Sequence, residues 1–170
     1  SILRTACHQL AAWHLQFDTA RPLTMSVNLS PRQLETPDLV GNVGRILAES
    51  GLRPTSLVLE ITETAPLSGF AAAVETFLAL RRRGIGLHLD DFGTGYSSLG
   101  CLHRLPLTAI KIDRAFTQEI NVRPAQMRVL EAIVDIARAL QLGVIVDGIE
   151  TAAQLATRRR LGGDRGQGYH

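Results

Sequence analysis

Short runs of Val, Ile and Leu return along this chain at intervals that leave room for one helix between most of them. That alternation restricts the fold more than any other feature. The runs cover residues 23–29, 56–62, 85–91, 109–113 and 143–147. Stretches of helical periodicity lie at 38–50, 69–83, 124–140 and 151–161, and a first helix at 2–16 precedes the first run. Apolar runs joined by amphipathic segments are the mark of a parallel sheet with crossover helices. Several ends are readable: Pro37 and Asp38 suit a first helical turn, and Gly51, Gly84 and Gly143 stand where helices stop.

Repeated strand–crossover–strand units build either an open doubly wound sheet or a closed barrel of eight parallel strands. No phosphate-cradling glycine loop follows any run, which lowers the open-sheet reading. A sixth run begins at 166–169 just as the chain stops, and the first helix has no strand before it. The expectation is an α/β fold: one domain over residues 1–170, a partial TIM-like (β/α)8 barrel with about six of its eight βα units, truncated at both ends.

Composition narrows the function classes. With 45% hydrophobic and 20% charged residues the chain is an ordinary globular one, and disorder is excluded. No apolar run approaches the roughly 18 residues of a membrane span and no leader precedes the first helix, so a cytoplasmic setting is expected. A net charge of +2 makes no case for a groove that binds polymeric nucleic acid. Cys7 and Cys101 lack any metal-type spacing and read as buried thiols. Met25, Trp13 and Phe77 occupy apolar positions and read as core, and His88 as a wall or core residue. Arg81, Arg82 and Arg83 meet the negative end of a helix dipole and read as a solvated face.

The acids are unevenly placed. Aligning the runs by their carboxyl ends puts Asn28, Glu60, Asp90 with Asp91, Lys111 with Asp113, and Asp147 at the termini. Parallel strands deliver all of these to one face, and in a barrel that is the face where active sites lie. Converging carboxylates without countercharge repel, so one or two divalent cations are the simplest physical answer. Oxygen-only ligands point to Mg2+ or Mn2+ rather than zinc. Asp90 and Asp91 are adjacent, so their side chains face opposite ways unless the strand bends at its end, which Gly93 and Gly95 permit. Lys111, the only lysine, can balance the carboxylates, orient an attacking water or neutralise a phosphate oxygen.

The stretches that carry these residues are Asn28-Leu29-Ser30, Glu60-Ile61-Thr62-Glu63, Asp90-Asp91-Phe92-Gly93-Thr94-Gly95-Tyr96-Ser97-Ser98, Lys111-Ile112-Asp113, Asp147-Gly148-Ile149-Glu150 and Gln167-Gly168-Tyr169. Together, in this order and spacing, they resemble the EAL domain family of bacterial cyclic-di-GMP phosphodiesterases. The resemblance implies a modified eight-stranded barrel that hydrolyses cyclic-di-GMP to linear pGpG with two Mg2+ or Mn2+ ions. It implies that Asn28, Glu60 and Asp90 hold the first metal, that Asp91 serves the second, and that Lys111 touches the nucleophilic water. Glu63 matches the glutamate that anchors the loop after Asp91. That loop, residues 92–98 with Thr94, shapes the substrate site and the dimer contact in relatives. Asp113 and Gln167 match further polar residues of the pocket. Asp147 stands where the family places a glutamate acting as general base or second-metal ligand, and Glu150 matches the later acid of that motif.

Two departures follow from the same comparison of motifs. The glutamate of the Glu-Ala-Leu stretch that names the family is expected on a strand upstream of Ser1, and Asp147 is one methylene shorter than the family's glutamate. The partners implied are cyclic-di-GMP, a second copy of the chain in a homodimer, and an upstream sensor or GGDEF domain in a longer parent protein, whose cytoplasmic part this chain would form if that parent is membrane-anchored. Two other functions compete with the enzyme: a degenerate receptor that binds the dinucleotide without cleaving it, and a structural dimerisation module.

Overall fold

The computed structural model describes residues 1–17, 19, 22–63, 70–93, 102–118, 124–161 and 165–167. The expectations for Thr94, for the rest of the 94–98 segment, for Cys101 and for the Gly168–Tyr169 end of the last run lie outside the described residues. The chain divides into two compact units, one of Ser1–Ile61, Ala65–Leu87 and Arg104–Pro106, the other of Thr62–Thr64, His88–His103 and Leu107–His170. Among the described residues no helix is long and apolar enough to cross a membrane.

The first unit runs α1 (Ile2–Gln16), β1 (Met25–Asn28), α2 (Pro31–Leu34), α3 (Leu39–Ser50), a 3-10 turn (Pro54–Ser56), β2 (Leu57–Thr62, its last residue in the second unit) and α4 (Phe70–Arg82). β1 and β2 pair in parallel, with Met25 opposite Leu57 and Asn28 opposite Glu60. Leu57 to Ile61 are all buried, as a parallel strand covered on both faces requires. α3 buries Leu39, Val43, Ile46 and Leu47, a stripe at helical spacing in which each side chain contributes roughly 1.5–3 kcal/mol of burial. The Asp38 side chain caps this helix by accepting the Gly41 N–H at 3.2 Å, and a Cβ at position 41 would collide with that carboxylate. Gly51, at φ 68°, ends the helix in the left-handed conformation as its sequence position led us to expect.

The second unit contains β3 (Gly86–Phe92, from His88 onward), β4 (Ala109–Ile112), α5 (Arg114–Gln118), α6 (Pro124–Ala139), β5 (Gly143–Val146), α7 (Ala152–Leu161) and β6 (Arg165–Gly166). β3 pairs with β4, β4 with β5 and β5 with β6, all in parallel. α6 packs on β5 through a face that includes Leu130, Ile133, Val134 and Ala137, all buried. Cys7, Phe77 and His88 are buried as expected, whereas Trp13 is not core but 38% exposed on α1, and Met25 is only half-buried. The stop after α6 also differs from expectation. The left-handed residue there is Gln141, at φ 56°, and Gly143 instead opens β5, its N–H donating to the Thr108 carbonyl at 2.9 Å.

Among the described residues, three short helical pieces escape a periodicity reading because three to five residues hold no repeat. α2 carries its own signal: Ser30 and Gln33 form a reciprocal capping box around Pro31, which turns the chain immediately after the end of β1.

Candidate functional site

In the first unit the parallel register sets Asn28 beside Glu60, so both side chains leave the same face of the pair at its carboxyl end. Glu60 is buried and Asn28 exposed, and the chain leaving Asn28 is tied down by the Leu29 N–H, which donates to the Glu60 carbonyl at 2.7 Å.

In the second unit the end of β3 is bent. The pairing with β4 shifts between Leu89 and Phe92, so that Leu89 stands opposite Ile110 but Phe92 opposite Ile112. Asp91 takes φ 57° and Gly93 φ 99°. A bulge of this kind re-aims side chains at a strand end, and here its extra residue falls between Leu89 and Phe92, at Asp90 and Asp91. One Asp90 oxygen accepts the Asp91 N–H at 3.0 Å, and the same oxygen receives the Lys111 ammonium at 3.0 Å. The Lys111 side chain is 6% exposed and that of Asp90 15%, so the pair is largely withdrawn from water and screened far less than a surface ion pair.

Burial first, and then the neighbouring carboxylates of Asp90 and Asp113, raise the Asp91 carboxyl above its ordinary range; Lys111 opposes this and Asp147 adds to it. Asp91 therefore feels three other carboxylates and one ammonium, a surplus of negative charge whose chemistry fits a hard divalent cation. Among the described residues, no three His, Cys, Asp or Glu side chains close around a single point as a finished metal cage.

The remaining predicted residues fall as follows. Asp113 sits at the end of β4 with one carboxylate oxygen accepting the Ala115 N–H at 2.8 Å, so it caps the start of α5. Asp147 is half-buried, and one of its oxygens accepts the Gly148 N–H at 2.7 Å. Glu63 receives the Gly93 N–H at 2.7 Å, while its own N–H donates to the Asp90 carbonyl at 3.1 Å. Gln167 is exposed and its backbone bridges the Val146 carbonyl and the Ile149 N–H. Glu150 is exposed, and its N–H donates to Gln154 at 2.8 Å at the entry to α7.

The family model for the EAL domain matches residues 1–170. The chain belongs to this family. It is 38% identical to the cyclic di-GMP phosphodiesterase RocR of Pseudomonas aeruginosa over 149 residues, which is 88% of this chain and 38% of RocR. To the bifunctional diguanylate cyclase/cyclic di-GMP phosphodiesterase MucR of the same organism it is 37% identical over 172 residues, 99% of this chain and 24% of MucR. The chain thus spans well under half the length of these curated relatives. A solved structure of the PaMucR phosphodiesterase in complex with c-di-GMP superposes with a TM-score of 0.90 at 36% identity, covering 98% of this chain and 67% of that one. The manganese/cy-diGMP complex of Klebsiella pneumoniae BlrP1 gives a TM-score of 0.84 at 30% identity, over 98% of this chain and 42% of that one. The fold class is accordingly the α/β type of EAL domains, a partial TIM-like barrel.

Within this EAL domain, sequence reading overlooked two relations. Asp113 was expected only as a pocket residue, although an Asp placed just before a short helical stretch is a common cap. Phe116 carried no signal at all, yet its ring lies against Gly93.

The raised Asp91 carboxyl has a consequence for stability without metal. A native pKa above the unfolded value gives a contribution that is complete below the ordinary value of 3.8 and is lost as pH rises through the native one. In chelator-treated protein, Asp91→Asn is therefore expected to melt progressively higher than the parent as pH rises across the acid range, with the gap then constant. Thermal melts of both proteins from pH 3 to 7 check this; a gap that does not change with pH would remove the assigned electrostatics.

Proposed function

We propose that this EAL domain hydrolyses cyclic-di-GMP to linear pGpG in a metal-dependent reaction, as part of a longer bacterial signalling protein. The observation that carries the reading is the bulged end of β3, which sets Asp90 and Asp91 side by side with the buried Lys111 ammonium on Asp90. The names of the relatives support the substrate: RocR is a cyclic di-GMP phosphodiesterase, and the MucR complex contains c-di-GMP. The partners proposed are the dinucleotide, a second copy of the chain, and a sensor or cyclase domain of the kind implied by the bifunctional name of MucR. A cytoplasmic setting goes with this reading.

In the proposed mechanism Asn28, Glu60 and Asp90 hold one divalent cation and Asp91 the other, Mg2+ or Mn2+ by donor chemistry. Bound there, such a pair supplies a deprotonated water and charge stabilisation on the phosphate oxygens. Lys111 orients the attacking water and offsets negative charge as the phosphorus centre becomes crowded. Asp147 accepts the water's proton or supports the second cation. The water oxygen joins phosphorus, the bond to the 3′ oxygen breaks, and that oxygen takes up a proton. Asp113, Thr94, Gln167 and Glu150 line the dinucleotide, and Glu63 holds the loop beyond Asp91.

Conversion of cyclic-di-GMP by the intact protein, followed chromatographically with Mg2+, Mn2+ or chelator, tests the reading. Metal-dependent appearance of the linear dinucleotide is expected. Tight binding in calorimetry with no turnover would instead establish a receptor, and no binding at all a structural module. One observation favours the receptor: the Asp147 carboxylate is turned onto its neighbour's N–H. If that short reach limits catalysis, Asp147→Glu should raise kcat about 10-fold, or about 1.4 kcal/mol, with little change in dinucleotide affinity. Equal or lower kcat would show that the aspartate is already well placed.

A further inference from the structure

We propose that Phe116 is a positioning residue: its ring clamps Gly93 and thereby holds the bulge that aims the Asp91 carboxylate. The proposal rests on the reading of Asp90 and Asp91 as cation ligands and adds a residue that touches neither metal nor substrate.

The strain to be held is visible in the backbone. Asp91 and Gly93 are both at positive φ, 57° and 99°, within three residues. A left-handed aspartate is disfavoured and persists only where its surroundings determine it from several sides. Electrostatics works against it here, because Asp91 faces the carboxylates of Asp90, Asp113 and Asp147. From one side the bulge is held by Glu63, whose N–H donates to the Asp90 carbonyl and whose carboxylate accepts the Gly93 N–H. Those two bonds span the bulge.

Phe116 packs against the same glycine. A Cβ built on Gly93 would lie 2.6 Å from Cε2 and 2.7 Å from Cζ of the ring, so the ring edge occupies the space beside the glycine Cα. The ring is brought there by the turn after β4. The Asp113 carboxylate accepts the Ala115 N–H, and the Asp113 carbonyl accepts the Phe116 N–H at 3.1 Å. Glycine at 93 is thus required twice, for its positive φ and for the room it leaves the ring. Without the ring, Gly93 can swing away from Glu63 and Asp91 can relax toward extended backbone, which turns its carboxylate to the other face of the strand.

The test uses the intact protein with Phe116→Ala, Phe116→Leu and, as a control, Leu130→Ala, which opens a cavity in the buried face of α6. Two measurements are read: Mn2+ affinity, from free Mn2+ by electron paramagnetic resonance without nucleotide, and exchange of the Gly93 amide in chelated protein. Phe116→Ala is expected to weaken Mn2+ binding about 10-fold and to speed Gly93 exchange at least 10-fold. Phe116→Leu, which still covers the glycine, should stay within about 3-fold of the parent on both. Leu130→Ala should lower the melting temperature while moving neither. Parent-like Gly93 exchange in Phe116→Ala overturns the clamp, as does parent-like Mn2+ affinity. Absence of Mn2+ binding by the parent would overturn the cation reading, and Gly93 exchange would then decide the clamp by itself.

Discussion

Asp90→Asn is expected to lower kcat on the order of 1,000-fold at saturating Mg2+ while leaving the fold nearly intact. One Asp90 oxygen already accepts both the Asp91 N–H and the Lys111 ammonium, and an asparagine carbonyl oxygen can accept the same two donors in the same place. What it cannot supply is the negative charge, and a neutral amide is a far poorer partner for a hard divalent cation. Loss of one preorganised charge at a reacting phosphate carries a cost of about 4 kcal/mol in the transition state, the upper end for a single electrostatic contact. Because Asn leaves the bulge unchanged, the melting temperature of the chelated protein should move by only a few degrees. Turnover within 10-fold of the parent would remove Asp90 from the metal site.

Lys111→Met should be nearly as damaging to turnover, by about 100-fold or more, and unlike Asp90→Asn it should also destabilise. Methionine fits the buried stem between Ile110 and Ile112, so packing is kept and only the ammonium is lost. Asp90 then loses its ammonium partner, and Asp91 keeps the repulsion of Asp90, Asp113 and Asp147 without the Lys111 charge that opposes it. Breaking a buried pair by removing one partner costs about 3–5 kcal/mol, and the part-exposure of Asp90 places this case at the low end, about 3 kcal/mol. A divalent cation should restore much of that, so Mg2+ should raise the melting temperature of Lys111→Met more than that of the parent. Equal Mg2+ shifts in the two proteins would show that the ammonium is not what balances the carboxylates in the chelated state.

Much of this site was legible because its residues announce themselves locally. Asn28, Glu60, Asp90, Lys111 and Asp147 each stand within or at the end of an apolar run, and a polar residue in a buried strand stands out from its neighbours whatever the rest of the chain does. The need for a bend at Asp90-Asp91 was likewise readable, since two adjacent carboxylates on a regular strand cannot share a face. Trp13 was misplaced for a related reason: helical periodicity reports which residues are apolar, and the half-turn it occupies on α1 leaves it 38% exposed among the described residues.

By itself, then, the sequence determined the strand and helix alternation, the family and the set of charged residues at the strand ends. These follow from side-chain chemistry and from spacings of a few residues. The tertiary structure alone decided how those residues meet: that Lys111 sits on Asp90 and that Phe116 covers Gly93. Each of these relations joins residues on different segments, or depends on how a turn is seated against a neighbouring strand. A shift of one residue in the pairing of β3 with β4 would move Lys111 off Asp90 and Phe116 off Gly93, and only the packed sheet sets that register.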